Sequence, residues 1–162
     1  MTATQTPSSR RAEARIPDRI AIVGAGRLGG ALAAALGGAG LPVEGPLGRD
    51  EAPSRAARTV LLCVPDTQIE TAAAALPAGL LVGHCSAATT LAALAPHEAF
   101  SLHPLMTVTA AGARFAGATA VIAGTSARAL RAAGSLADAL GMRALQIDDG
   151  DRAAYHAAAA VA

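Results

Sequence analysis

The segment Arg19-Ile20-Ala21-Ile22-Val23-Gly24-Ala25-Gly26-Arg27-Leu28-Gly29-Gly30-Ala31-Leu32 constrains this chain more than any other. A continuous apolar run, Ile20 to Val23, suits a buried parallel strand. Three glycines follow in G-x-G-x-x-G register, at Gly24, Gly26 and Gly29. Gly24 allows the tight turn, Gly26 lets backbone approach a pyrophosphate, and Gly29 lets a helix pack close to the strand. Leu28, Ala31, Leu32, Ala35 and Leu36 recur at helical spacing. The N–H groups that open such a helix face phosphate. The segment therefore predicts a strand, a dinucleotide-binding turn over Gly24, Ala25, Gly26, Arg27, Leu28 and Gly29, and a helix closed by Gly37, Gly38 and Gly40. The competing reading is a glycine turn that serves packing alone.

Apolar runs then alternate with helical stretches. Strands are expected at 41–47, 59–64, 80–84, 99–102, 118–123 and 143–147. Helices are expected at 67–76, 89–94, 126–140 and from 151 onward, with one or two helical turns at 50–58. Thr89 or Thr90 is a plausible cap for the helix at 89–94. Pro42 and Pro46 leave the length of the second strand open. This alternation argues for an α/β fold, a doubly wound, mostly parallel sheet of Rossmann type. In such sheets ligands bind outside the carboxyl ends of the strands.

The chain has 162 residues, enough for one domain with a core. Residues 1–18, rich in Ser, Thr, Arg and Pro, read as a disordered leader. The dinucleotide-binding domain is placed at 19–148. Residues 149–162 read as the first turns of a helical second domain that is cut off, because the apolar helix around Tyr155 and His156 meets neither cap nor breaker. The formal net charge is +1, which implies no basic field for nucleic acid. No apolar stretch is long enough to span a membrane, and no signal-peptide core is present. Cys63 and Cys85 lie in apolar runs without metal-ligand spacing and read as reduced thiols. A cytoplasmic protein acting on a small molecule is expected.

Chemistry is sought just after each strand. Arg49 lies about twenty residues past the glycine turn, where the adenosine ribose is read. A cation there suits the 2′-phosphate of NADP, and NAD is less favoured; Asp50 beside it pulls the other way. Val64-Pro65-Asp66 closes the third strand and borders the cofactor. Asp66 is expected to cap the next helix through the N–H of Gln68 or Ile69. His84-Cys85-Ser86 and Ser101-Leu102-His103-Pro104 end the next two strands. His103 is the candidate proton donor or acceptor, since imidazole titrates in the right range. Ser86 would fix its tautomer or bind a substrate oxygen. His84 and Cys85 read as strand residues, and His97 as a solvated loop residue. Tyr155 and His156 would either point back at the cleft or open the second domain.

Taken together, the glycine turn, Gly48-Arg49, Val64-Pro65-Asp66, His84-Cys85-Ser86, Ser101-Leu102-His103-Pro104-Leu105 and Tyr155-His156-Ala157-Ala158-Ala159 resemble the Rossmann-like oxidoreductases that carry a C-terminal domain of unknown function. These are relatives of pyrroline-5-carboxylate reductase and other NADP-dependent oxidoreductases. The resemblance implies a helical C-terminal domain that completes the active site and forms a homodimer. Ser86 and Leu102-His103-Pro104 are also similar to the serine and the histidine-proline turn of prephenate dehydrogenases. That likeness implies His103 as acid/base and Ser86 as its partner. The sequence departs from it at Leu105-Met106-Thr107, where a glycine is usual, and none of its arginines can be assigned to a substrate carboxylate. The expected function is hydride transfer to or from a small carbonyl, imine or hydroxy compound. A non-catalytic NADP-binding sensor is the alternative from another class.

Overall fold

The computed structural model describes residues 19–109 and 112–159. The expected leader (1–18) and the end of the last helix (160–162) lie outside them. Seven strands form one sheet in the order β2-β1-β3-β4-β5-β6-β7. They are β1 (Ile20–Val23), β2 (Val43–Leu47), β3 (Thr59–Leu62), β4 (Leu81–His84), β5 (Glu98–Leu105), β6 (Thr119–Gly124) and β7 (Arg143–Gln146). The first five are mutually parallel; β6 runs antiparallel to β5, and β7 parallel to β6. The fold is the expected doubly wound, mostly parallel α/β sheet.

The strands bury both faces because successive side chains point to opposite sides. Ile20, Ile22, Leu61, Leu81, Phe100 and Leu102 meet α1 (Arg27–Gly38) and α3 (Ala127–Ala139) on one face. Ala21, Val60, Leu62, Val82 and Ala99 meet α2 (Ile69–Ala74) and the 3-10 turn Leu91–Leu94 on the other. The helix α3 starts at Ser126, whose hydroxyl accepts the Ala129 N–H at 3.0 Å. A last helix, α4 (Arg152–Ala159), follows β7.

Several local expectations are corrected. Residues 50–58 form turns, with no helix. The helix expected at 67–76 opens instead as a 3-10 turn at Asp66–Gln68 and becomes α-helical only at Ile69. Thr90 occupies the N-cap position of the turn at 91–94 but makes no side-chain bond there. The strand β2 keeps Pro46 because it is an edge strand, where a missing N–H costs no ladder bond.

The difference that matters for the site concerns β5. Its expected end was Leu102, but it continues to Leu105. Its pairing with β4 stops at Ser101, whereas its pairing with β6 continues through Leu105. The sheet's carboxyl rim therefore carries a step. Residues 102–105 stand clear of β4 and, among the described strands, pair with β6 alone. Pro104 is tolerated there because the side that β4 would occupy asks for no donor.

Candidate active site

A cleft of about 470 Å³ opens at the carboxyl ends of β1, β3, β4 and β5. One wall is the start of α1. The turn before that helix is tight: Gly24 has φ +114°, and a Cβ there would lie 2.3 Å from the Cys63 carbonyl oxygen. At Gly29 a Cβ would lie 1.8 Å from the Gly24 carbonyl oxygen, so the helix crosses the turn at a distance only glycine permits. Gly26 differs, since a Cβ there would meet nothing within 4 Å. Packing therefore explains Gly24 and Gly29 but not Gly26. The N-terminus of α1 has no side-chain cap and no acidic residue in its first turn. Its first N–H groups lack intrahelical partners. Gly26, Arg27 and Leu28 line the cleft beside them.

The floor comes from the segments after β3 and β4. Val64, Pro65 and Asp66 line it, as do Cys63, Cys85 and Ser86. Asp66 does not cap the helix that follows; no side-chain cap bond exists there. It accepts the Ser86 hydroxyl instead, at 2.7 Å. The Ser86 oxygen also accepts the N–H groups of Ala88 (3.1 Å) and Thr89 (2.9 Å). With one donation and two acceptances the hydroxyl is saturated. The expected contact between Ser86 and the imidazole of His103 is absent among the described residues. Ser86 shapes the loop after β4.

The opposite wall is the overhanging end of β5, with His103, Pro104 and then Met106. His103 Nδ1 lies 2.5 Å from the Tyr155 hydroxyl, and the two rings meet edge to face with centroids 5.8 Å apart. Tyr155, not Ser86, orients the imidazole. Burial lowers the His103 pKa below its usual 6.5; Arg152 lowers it further, Asp66 pulls it back up, and His156 lowers it slightly. Burial raises the Tyr155 pKa. The phenol thus keeps its proton at neutral pH and can donate it to Nδ1, which leaves the imidazole's own proton on Nε2.

Arg152 brings α4 to the sheet. It is 1% exposed, yet each of its three side-chain nitrogens has a partner. Nε donates to Asp149 Oδ1 at 2.9 Å, one terminal nitrogen to the Ser86 carbonyl at 3.1 Å, and the other to Ser101 Oγ at 2.6 Å. Asp149 also accepts the Leu91 N–H at 2.9 Å. One guanidinium thus ties α4 to the loop after β4 and to β5 at the point where its pairing with β4 stops. Tyr155 follows one helical turn later and reaches His103. Neither Arg152 nor Asp149 was expected from the sequence. The available signal was a basic residue in the first turn of a helix, against the preference of the helix dipole.

His84 is fully buried. Its Nδ1 accepts the Ser86 N–H at 3.2 Å, and its Nε2 has no partner among the described residues. Burial, helped by Arg152, pushes its pKa down to about 4. His97, expected in solvent, is half-buried and bonds the Ala73 carbonyl at 3.0 Å, tying the loop to α2. Arg49 is exposed in the turn after β2. The neighbouring Gly48 N–H donates to Glu51 at 2.6 Å. His156 is exposed on α4.

A Bacteroides fragilis protein named as an NADP oxidoreductase of unconfirmed activity superposes with a TM-score of 0.74 at 17% identity, over 90% of this chain and 66% of its own. A reductive aminase from Aspergillus terreus, solved with NADPH and ethyl-5-oxohexanoate, gives 0.64 at 17% identity, over 90% and 60%. A pyrroline carboxylate reductase from Plasmodium falciparum with NADP bound gives 0.60 at 12% identity, over 88% and 64%. The fold is Rossmann-like. The chain spans roughly two thirds of these structures or less. No family model matches the sequence, and no curated protein does. No helix among the described residues is long and apolar enough to cross a membrane.

Proposed function

We propose that this chain binds NADP across the glycine turn and serves hydride transfer to or from a small carbonyl, imine or hydroxy compound. One observation carries the reading. The start of α1 at Gly26–Leu28, whose N–H groups have no partner among the described residues, faces across the cleft a histidine oriented by a tyrosine. The likeness to NADP-bound reductases supports the cofactor.

The open space over Gly26 fits a pyrophosphate, which the helix N–H groups would hold. Arg49 would take the 2′-phosphate. When bound, the nicotinamide supplies the hydride donor or acceptor. The protein's part is proton transfer: His103 holds a proton at Nε2 while Tyr155 anchors Nδ1. The saturated Ser86 hydroxyl, donating to Asp66, holds the floor in place. The second helical domain and the homodimer implied by the resemblance belong to the same reading. A non-catalytic sensor is favoured only by the saturation of Ser86, which removes one candidate catalytic group.

Titration of NADPH and NADH by calorimetry tests the cofactor. NADPH should bind more tightly, and Arg49→Ala should weaken it by about 1.5–3 kcal/mol, as for a charged hydrogen bond. Oxidation of NADPH with a carbonyl and imine panel tests the activity. His103→Ala should slow turnover by roughly 10²–10⁴-fold, the usual contribution of a general acid or base. Unchanged turnover in that variant would remove His103 from the chemistry. Tight NADPH binding with no turnover of any panel member would favour the sensor.

A further inference from the structure

Cys63 and Cys85 have no part in the hydride chemistry, yet they meet at the floor of the cleft. The last register pair of β3 and β4 is Leu62 with His84, so the two cysteines are the next residues on neighbouring parallel strands. Neighbouring strands lie about 4.8 Å apart. That is within the range of Cα separations a disulfide tolerates, about 4.4–6.8 Å. Their sulfurs are 3.8 Å apart and already share a weak hydrogen bond. Reaching the roughly 2.05 Å of an S–S bond requires each sulfur to move by less than about 1 Å, which side-chain rotation supplies. Both thiols are free. Both line the cleft, Cys63 half-buried and Cys85 buried.

We propose that Cys63 and Cys85 form a reversible disulfide across the cleft floor, closed by a peroxide and reopened by a thiol. The more open Cys63 reacts first. Its thiolate attacks one peroxide oxygen, the O–O bond breaks, and hydroxide leaves to become water, so that Cys63 becomes a sulfenic acid. The Cys85 sulfur then attacks Cys63; the S–S bond forms, the S–O bond breaks, and the departing hydroxide takes the Cys85 proton. Two thiols lose two electrons in total, and one peroxide becomes two waters. The order of events fits the surroundings of Cys85, whose thiol is pushed well up by its bond with Cys63 and by burial. Such a thiol is a poor first nucleophile but needs only to resolve an adjacent sulfenic acid.

Closure would alter the glycine turn as well as the cleft floor. The Cys63 Cβ lies 3.3 Å from where a Cβ on Gly29 would sit, and the Cys63 carbonyl oxygen lies 2.3 Å from where a Cβ on Gly24 would sit. Drawing the Cys63 sulfur toward Cys85 reshapes the surface under the proposed pyrophosphate site; this coupling rests on the cofactor reading above. The pairing itself does not.

The test uses the full chain, reduced and then treated with one equivalent of hydrogen peroxide. Both thiols should disappear from a thiol count, and the intact mass should fall by about 2 Da, the loss of two hydrogens. Peptide mapping should find Cys63 linked to Cys85 within one chain, and dithiothreitol should restore both thiols. In Cys85→Ser, Cys63 should stop at a sulfenic acid that dimedone traps. Persistence of both thiols, gain of oxygen without a cross-link, or cross-links only between chains would overturn the proposal. Prior addition of NADPH should slow closure. Closure that NADPH does not slow, together with no NADPH binding by calorimetry, would remove the cofactor reading and leave the disulfide standing. Normal NADPH binding without closure would remove the disulfide alone.

Discussion

Gly26 and Gly29 are identical in chemistry and three positions apart, yet their surroundings assign them different work. A methyl group at Gly29 collides with the Gly24 carbonyl; at Gly26 it enters open space. Gly29→Ala should therefore destabilise the fold by about 1–3 kcal/mol or more, the range for overpacking, read as a lower midpoint in chemical denaturation. Gly26→Ala should leave that midpoint nearly unchanged and weaken NADPH binding in calorimetry. Equal loss of stability in both variants would mean that the turn serves packing alone. The motif was legible in the sequence because each glycine answers a local demand. The partners of Asp66 and Ser86 were not. Asp66 followed by a helical stretch reads as a cap, and only the placement of β4 beside β3 brings the Ser86 hydroxyl within 2.7 Å of it.

At the level of elements, the strands and helices could be read from apolar runs and glycine or proline breaks, which are local. The register and the length of β5 could not. Its extension to Leu105 is sustained by β6, a partner some twenty residues downstream whose antiparallel direction no local pattern announces. The attachment of α4 was hidden for a similar reason: Arg152 bonds Ser86 and Ser101 across separations of 66 and 51 residues. A buried guanidinium is sustained only by complete pairing. Arg152→Met should free α4 from the rim and lower the thermal midpoint. It should also raise the His103 pKa toward 6.5, because the Arg152 charge is one of the two main causes of its depression. Titration of the His103 ring protons by NMR reads this directly. A His103 pKa that stays put would show that burial alone sets it.

For the whole molecule, His84 and His103 make stability depend on acid. The His84 pKa falls from 6.5 to about 4 on folding. Between those values the unfolded chain binds a proton that the folded chain refuses. The contribution is therefore complete above pH 6.5, is lost as pH falls toward 4, and levels off below. The slope approaches 1.4 kcal/mol per pH unit within the window. His103, also depressed, adds in the same direction as pH falls below 6.5. Denaturant midpoints measured from pH 8 to 4 should show this decline, and His84→Gln should flatten it. The stepped rim of the sheet has a consequence for product handedness. Four residues of β5 rise beyond β4 on one side of the cleft, while the helix turn forms the other. In the proposed hydride transfer, a flat carbonyl or imine held between them would show one face to the glycine turn and the other to the His103 wall. Reduction of a prochiral ketone should then yield a single enantiomer, resolved on a chiral column, and a racemic product would mean that the substrate turns freely between two walls that do not grip it.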